Sequence, residues 1–213
     1  MTRTYIHTVK LRKWFPPRDR FAASMARLSI LREDLLLEMH GILHRRIKSL
    51  DEHSVLWRQM FFWRSMIKTI WEMRKTLEML NTIPEFKKIL KKQPKAWQER
   101  FAGMVKLLTK HQAMVESIRN SLGGHVLSRT VEEALDRMSF DKFGYIEIGR
   151  VERRTHYRFA NDLVLEMLLT GVDEDKRLEA IEKCLRSVAD LMPVFQLTGI
   201  LFTIYADERN LFE

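Results

Sequence analysis

Apolar residues return at steps of three and four along most of this chain, with polar residues filling the gaps. Phe21, Met25, Leu28, Leu31, Leu35, Met39 and Ile42 fall on one stripe of a helical wheel. They predict one long amphipathic helix over residues 21–47, opened by the Pro16-Pro17 pair. Ser49-Leu50-Asp51-Glu52 has the spacing of a capping box, in which a hydroxyl and an acid three residues apart satisfy the first free amides of a helix. A second helix is expected there, carrying Leu56, Phe62, Met66, Ile70, Met73, Leu77 and Leu80 on its apolar face to about Asn81. Trp57, Phe61, Phe62, Trp63 and Trp71 crowd this segment. An aromatic stripe at helical spacing reads as core, or as a face for a partner helix, before it reads as a platform for stacked bases.

Thr82-Ile83-Pro84-Glu85 repeats the capping pattern and predicts a short helix that Pro94 must end. A third long helix is expected from about Ala96 to Leu122, with Trp97, Phe101, Met104, Leu108, Val115, Ile118 and Leu122 inward. Gly123-Gly124 closes it, one glycine suiting the left-handed conformation at a helix end. Thr130-Val131-Glu132-Glu133 opens another short helix, to about Met138. Gly144 to Gly149 alternates apolar and polar residues and predicts one short strand or extended segment. Helical spacing resumes from His156 to Thr170. Asp173 is positioned to cap the next helix, through Ile181 and Leu185, and Pro193 breaks or kinks the pattern before a last helix to about Ala206. The expected fold is all-α: a bundle of long antiparallel helices with additional C-terminal helices. No repeat or linker marks a boundary. Residues 1–15 read as an N-terminal arm and residues 16–213 as a single helical domain.

Composition sharpens this picture without redirecting it. The 213 residues are 46% hydrophobic and 31% charged, with 8 Gly and 5 Pro, a balance that favours helices and excludes a disordered chain. The formal net charge of +9 fits a phosphate-bearing partner, nucleic acid or an anionic surface, and fits equally a solvated basic surface. The single cysteine, Cys184, excludes an internal disulfide and lies in a helical apolar pattern as a small core residue. Met1 to Trp14 lacks the apolar run of a secretory leader. Leu191 to Ala206 is shorter than the ~20 residues that cross a bilayer. It reads as a buried core or dimer helix, and a cytoplasmic protein with no membrane span is expected.

Chemistry concentrates where the third long helix meets its two glycines. Arg119, Asn120 and His125 gather there. Arginine presents a planar fork of donors to phosphate oxygens and keeps its charge, and histidine moves protons near neutral pH. Glu116 and Gln112 precede them by about one and two turns and could fix the arginine. A plainer reading is open for each. Arg119 pairs with Glu116, Asn120 bonds a helix-terminal carbonyl, and His125 complements the helix dipole. A second basic group, Arg150, Arg153, Arg154 and Arg158, follows the expected strand and suits RNA phosphates. Lys87, Lys88, Lys91, Lys92 and Lys95 read as a solvated helix face. His40 and His44 have metal-ligand spacing without a third ligand, so no metal is expected. No phosphate-binding glycine loop, nucleophile elbow or CxxC pair occurs.

Arg119-Asn120 followed by His125 resembles the signature of the HEPN superfamily, an arginine and a polar residue with a histidine a few positions on. The resemblance covers the motif and the helices before it, about residues 21–138, and leaves 139–213 as a C-terminal helical extension. It implies a helical, usually dimeric protein acting on RNA, in many members as a metal-independent endoribonuclease of toxin–antitoxin or phage-defence systems. No cofactor is implied. The partners implied are a second copy, RNA, and an antitoxin or other protein. Arg119 would hold phosphate charge, His125 would transfer protons, and Asn120 would position them. Gly123-Gly124 directly before the histidine departs from the pattern. The alternative is a non-catalytic dimerisation or protein-interaction module, with the aromatic second helix and the Leu191–Ala206 segment as its contact surfaces.

Overall fold

All seven positions of the first apolar stripe are buried, on a helix that runs from Arg20 to Leu43. The computed structural model describes residues 9–43, 52–110, 112, 116, 128–138, 141, 143–148, 156–157, 159–169, 172–177, 179–180 and 192–211. In chain order the elements are α1 (Leu11–Trp14), α2 (Arg20–Leu43), α3 (Glu52–Leu80), α4 (Pro84–Lys92), α5 (Lys95–Lys110), α6 (Ser128–Arg137), β1 (Ile146–Glu147), β2 (His156–Tyr157), α7 (Phe159–Leu168) and α8 (Met192–Glu208). The fold is an all-helical bundle with one small antiparallel ladder. Among the described residues no helix is long and apolar enough to cross a membrane.

The described elements group into two compact units. One comprises Met1–Glu33, Glu72–Lys110 and Met192–Glu213, the other Asp34–Trp71 and His111–Leu191. Two of the four boundaries between the units fall inside α2 and α3. Both are uninterrupted helices, so no glycine, proline or polar linker announces those two boundaries in the sequence.

The first unit is centred on stacked rings. Phe21 meets Tyr205 edge-on at 5.1 Å and Phe86 at 5.8 Å, and Phe86 continues to Phe101 at 5.2 Å. Asp19 caps α2, its Oδ1 accepting the Ala22 amide at 2.8 Å. Helix α8 buries Val194, Leu197, Leu201, Ile204 and Tyr205 and packs against α5. Residues 192–211 are therefore core partners of the earlier helices of this unit. The end of the N-terminal segment joins the same core. Trp14 is buried, its carbonyl accepts the Tyr205 hydroxyl, and Phe15 stacks on the Tyr205 ring. Two aromatic side chains at the end of the lead-in bury too much apolar area to stay in solvent.

In the second unit α2 and α3 run antiparallel. Gln59 donates to the Ile42 carbonyl at 2.9 Å, and Ser65 and Thr69 donate to Glu38 at 2.6 and 2.9 Å. Helices α6 and α7 pack through Ala134, Val131 and Met167. The expected extended segment is present as β1, with Ile146 opposite Tyr157 and Glu147 opposite His156. Its approach to α7 requires glycine, because a Cβ on Gly144 would lie 2.6 Å from the Phe159 Cβ.

Local signals shift some boundaries. Residues 156–157 pair as β2, so the helix expected from His156 begins at Phe159. Thr82 does not cap α4. Ile83 occupies the cap position with Pro84 after it, and the Thr82 hydroxyl donates back to the Met79 carbonyl at 2.7 Å. Thr130 likewise lies inside α6, which starts at Ser128. The capping box expected at Ser49–Asp51 and the helix expected through Ile181 and Leu185 lie outside the described residues.

Candidate functional site

Helix α5 leads toward the motif. Phe101, Met104 and Leu108 are buried at steps of three and four, and this stripe fixes which way α5 faces. Beyond its end, Gln112 and Glu116 stand on helical backbone, both half-buried. The next described element, α6, begins at Ser128. Arg119, Asn120 and His125 fall between these two helical segments and lie outside the described residues. So do Arg150, Arg153, Arg154 and Arg158, together with Cys184, His44 and His111. The helical state of Gln112 and Glu116 is what the structure adds to the motif.

The described residues hold polar groups that the sequence pattern passed over. Glu38 is buried between α2 and α3. Its Oε1 accepts the Ser65 and Thr69 hydroxyls, and its Oε2 has no partner. Burial holds its carboxyl above the usual carboxylate range, against the two hydroxyl hydrogen bonds, which pull it down. Glu166 on α7 is also buried. It takes a two-pronged contact from Arg177 at 2.7 and 2.9 Å, with Arg137 of α6 at 3.8 Å. Each acid interrupts an apolar run, Leu35-Leu36-Leu37-Glu38-Met39 and Leu163-Val164-Leu165-Glu166-Met167. That interruption was the available signal. Both acids are closed from solvent by packing, and they order helices rather than meet a substrate.

In the first unit, Arg209 donates to Asp19 at 2.5 Å and to Glu85 at 2.9 Å while lying over the Phe21 and Tyr205 rings. Burial pushes the Asp19 carboxyl up, but the Arg209 hydrogen bond and the Ala22 amide outweigh it and hold the group below its ordinary value. A depression of about 430 Å³ nearby is lined by Gln93, Trp97, Ile204, Asp207, Glu208 and Asn210. Lys92 reaches Glu208 at 3.4 Å, so one of its two acids is already ion-paired. Helix α4 buries Phe86 and Ile89 and turns Lys87, Lys88, Lys91 and Lys92 outward, the solvated basic face expected of it. His40 is exposed on α2. No family model matches the chain, and no curated protein and no solved structure matches it.

Proposed function

We propose that this chain is a HEPN-like protein that acts on RNA as a metal-independent endoribonuclease. The observation that carries the reading is the Arg119-Asn120-x4-His125 motif, set between the helical backbone at Gln112 and Glu116 and the start of α6 at Ser128. The all-helical bundle and the net charge of +9 support it. In this reading two chains meet at the motif, so that one His125 takes the proton of a 2′-hydroxyl. The freed oxygen attacks the adjacent phosphorus. The second His125 protonates the departing 5′-oxygen, leaving a 2′,3′-cyclic phosphate and a 5′-hydroxyl. Arg119 holds the charge on the non-bridging oxygens as it builds, and Asn120 orients the imidazole. Arg150, Arg153, Arg154 and Arg158 track the strand through its phosphates. The location is cytoplasmic in this reading, and an antitoxin or other protein partner restrains the activity.

The test is incubation of the purified chain with single-stranded RNA in EDTA and analysis of the ends formed. Cyclic phosphate ends from the wild type, lost in folded His125→Ala and Arg119→Ala variants, are the expected result. Absence of wild-type cleavage, or equal cleavage by His125→Ala, defeats the assignment.

A second reading, a non-catalytic interaction module, draws on Trp57 and Phe61. They stand one turn apart on α3 and are exposed, at 37% and 53%. The other surface expected for such a module, Leu191–Ala206, is largely consumed by the core around α8 over its described part. Cleavage that depends on His125 decides against this reading.

A further inference from the structure

We propose that one face of α3, carrying Trp57, Phe61, Arg64 and Lys68, binds single-stranded RNA: bases stack on the two rings and phosphates lie against the two cations. The positions follow steps of four, three and four, so they form one stripe along the helix. An aromatic run at helical spacing reads first as core, and the structure divides this one. Trp71 is buried with Ile67, and Trp63 packs against them. Trp57 and Phe61 remain exposed, at 37% and 53%, and Lys68 is exposed as well. Both rings are braced by neighbours. The Arg64 guanidinium lies over the Trp57 ring at 5.7 Å, and Phe62 meets Phe61 edge-on at 5.5 Å. A ring already held in place stacks on a base with little further loss of freedom. One turn apart, the two rings are separated by ~6 Å along the axis, and the whole stripe runs ~16 Å.

Charge selects the occupant. From Val55 to Trp71 the chain carries Arg58, Arg64 and Lys68 and no acid. Arg64 is half-buried, its Nε is closed from solvent, and among the described residues no hydrogen bond or ion pair reaches it. Burial, with no acid to offset it among the described residues, holds the guanidinium below its ordinary value. Such a cation gains from an anion that arrives with the ligand, and its planar fork suits phosphate oxygens. Lys68 also acts on Glu38 of α2, but that carboxyl is buried and takes the Ser65 and Thr69 hydroxyls, and among the described residues no ion pair holds the ammonium. A lipid surface suits the face less well. Helices that lie in a membrane bury a broad apolar face, and α3 gives Met66, Ile67 and Trp71 to the core. A single strand matches ring and cation together, since its unpaired bases offer π faces and its backbone a phosphate at every step. This inference rests on the RNA-acting reading for the kind of strand, and deepens it by assigning a surface outside the motif.

Fluorescence anisotropy of the full chain with a 2′-O-methyl oligouridine of ~12 nucleotides, in EDTA, tests this. The probe has no 2′-hydroxyl to attack, so binding is read apart from cleavage. The wild type binds it. Trp57→Ala and Phe61→Ala each raise the Kd at least about fivefold, and Trp57→Phe, which keeps a stacking surface, raises it less. Affinity for the same strand paired in a duplex does not fall in the ring variants. Arg64→Gln with Lys68→Gln removes two phosphate contacts and lowers the slope of log Kd against log salt by ~1.4. Circular dichroism and thermal transitions of Trp57→Ala and Lys68→Gln match the wild type, because both side chains are exposed. A wild type that does not bind the strand, ring variants that bind it equally well, a duplex affinity that falls as far, or an unchanged salt slope overturns the proposal. So does loss of self-association or of binding to phosphatidylserine vesicles in ring variants whose strand affinity is intact, since the face then serves a protein or a lipid. Strand binding that needs Trp57 in a chain that does not cleave RNA supports this face and defeats the nuclease reading. Cleavage that needs His125, with equal strand binding by the ring variants, does the reverse.

Discussion

Replacing Gly41 by alanine tests how closely α2 and α3 approach. Taken alone, the added methyl group favours the helix, since glycine is less favourable than alanine in a helix interior by ~1 kcal/mol. At this position the new Cβ would lie 2.3 Å from the Phe62 Cδ2 and 2.5 Å from its Cγ and Cε2. Carbon atoms in contact rest at ~3.5–4.0 Å, so the ring must withdraw by about an ångström or more. It is not free to do so, being half-buried and edge-on to Phe61 at 5.5 Å. Overpacking of this kind costs ~1–3 kcal/mol, which leaves a net loss of up to ~2 kcal/mol after the helix gain. Gly103 in α5 is the control, because a Cβ there meets nothing within 4 Å. Gly103→Ala should stabilise by ~0.5–1 kcal/mol. Urea unfolding followed by circular dichroism measures both. In a Phe62→Ala background the Gly41→Ala penalty should vanish, since the obstructing ring is gone. If Gly41→Ala raises the midpoint as Gly103→Ala does, or if its penalty persists without the ring, then α2 and α3 do not meet through Gly41 and Phe62 at this distance.

Two further predictions concern buried charge. The Glu38 carboxyl is held above its ordinary value by burial, so its stability contribution is complete below that value and is lost as pH rises through the raised one. Thermal unfolding from about pH 5 to 9 should show this decline, and Glu38→Gln, which keeps an acceptor for Ser65 and Thr69, should flatten it; an unchanged slope refutes the assignment. The Asp19 carboxyl behaves in the opposite sense. It is held below its ordinary value chiefly by Arg209, against burial, so its contribution is present above that value and is lost as pH falls through the lowered one. Arg209→Met should cost ~1–3 kcal/mol at neutral pH and flatten the acid limb, as read by urea titrations at the two ends of the range.

The helices were legible because their core stripes are local. Phe21 through Ile42 could be assigned inward from spacing alone, and all seven are buried. The pairing of α8 with α5 was not legible, because residues nearly a hundred positions apart meet only through tertiary packing. The two-unit division was hidden for the opposite reason at two of its boundaries, which fall within helices whose apolar pattern never breaks. At Thr82 the capping pattern misled because Pro84 carries its own preference for the first helical position. That moved the cap to Ile83 and left the Thr82 hydroxyl to close α3. Of the candidate site, the helical approach through Gln112 and Glu116 follows from the same periodicity that predicted α5. Arg119, Asn120 and His125 lie outside the described residues, and residue spacing alone does not determine whether they come together.

Helix α2 shows where pattern reading stops short for a physical reason. A search for the strongest stripe finds Phe21 to Ile42 and treats the remaining apolar residues as noise. Ile30, Leu36, Leu37 and Leu43 then look like strays, and all four are exposed. Exposing three leucines and an isoleucine in water is unfavourable by roughly 25 cal/mol for each Å² that a contact could cover. One apolar stripe is explained by the core of a single chain. Period alone finds the buried stripe of α2 and leaves these four exposed side chains unassigned.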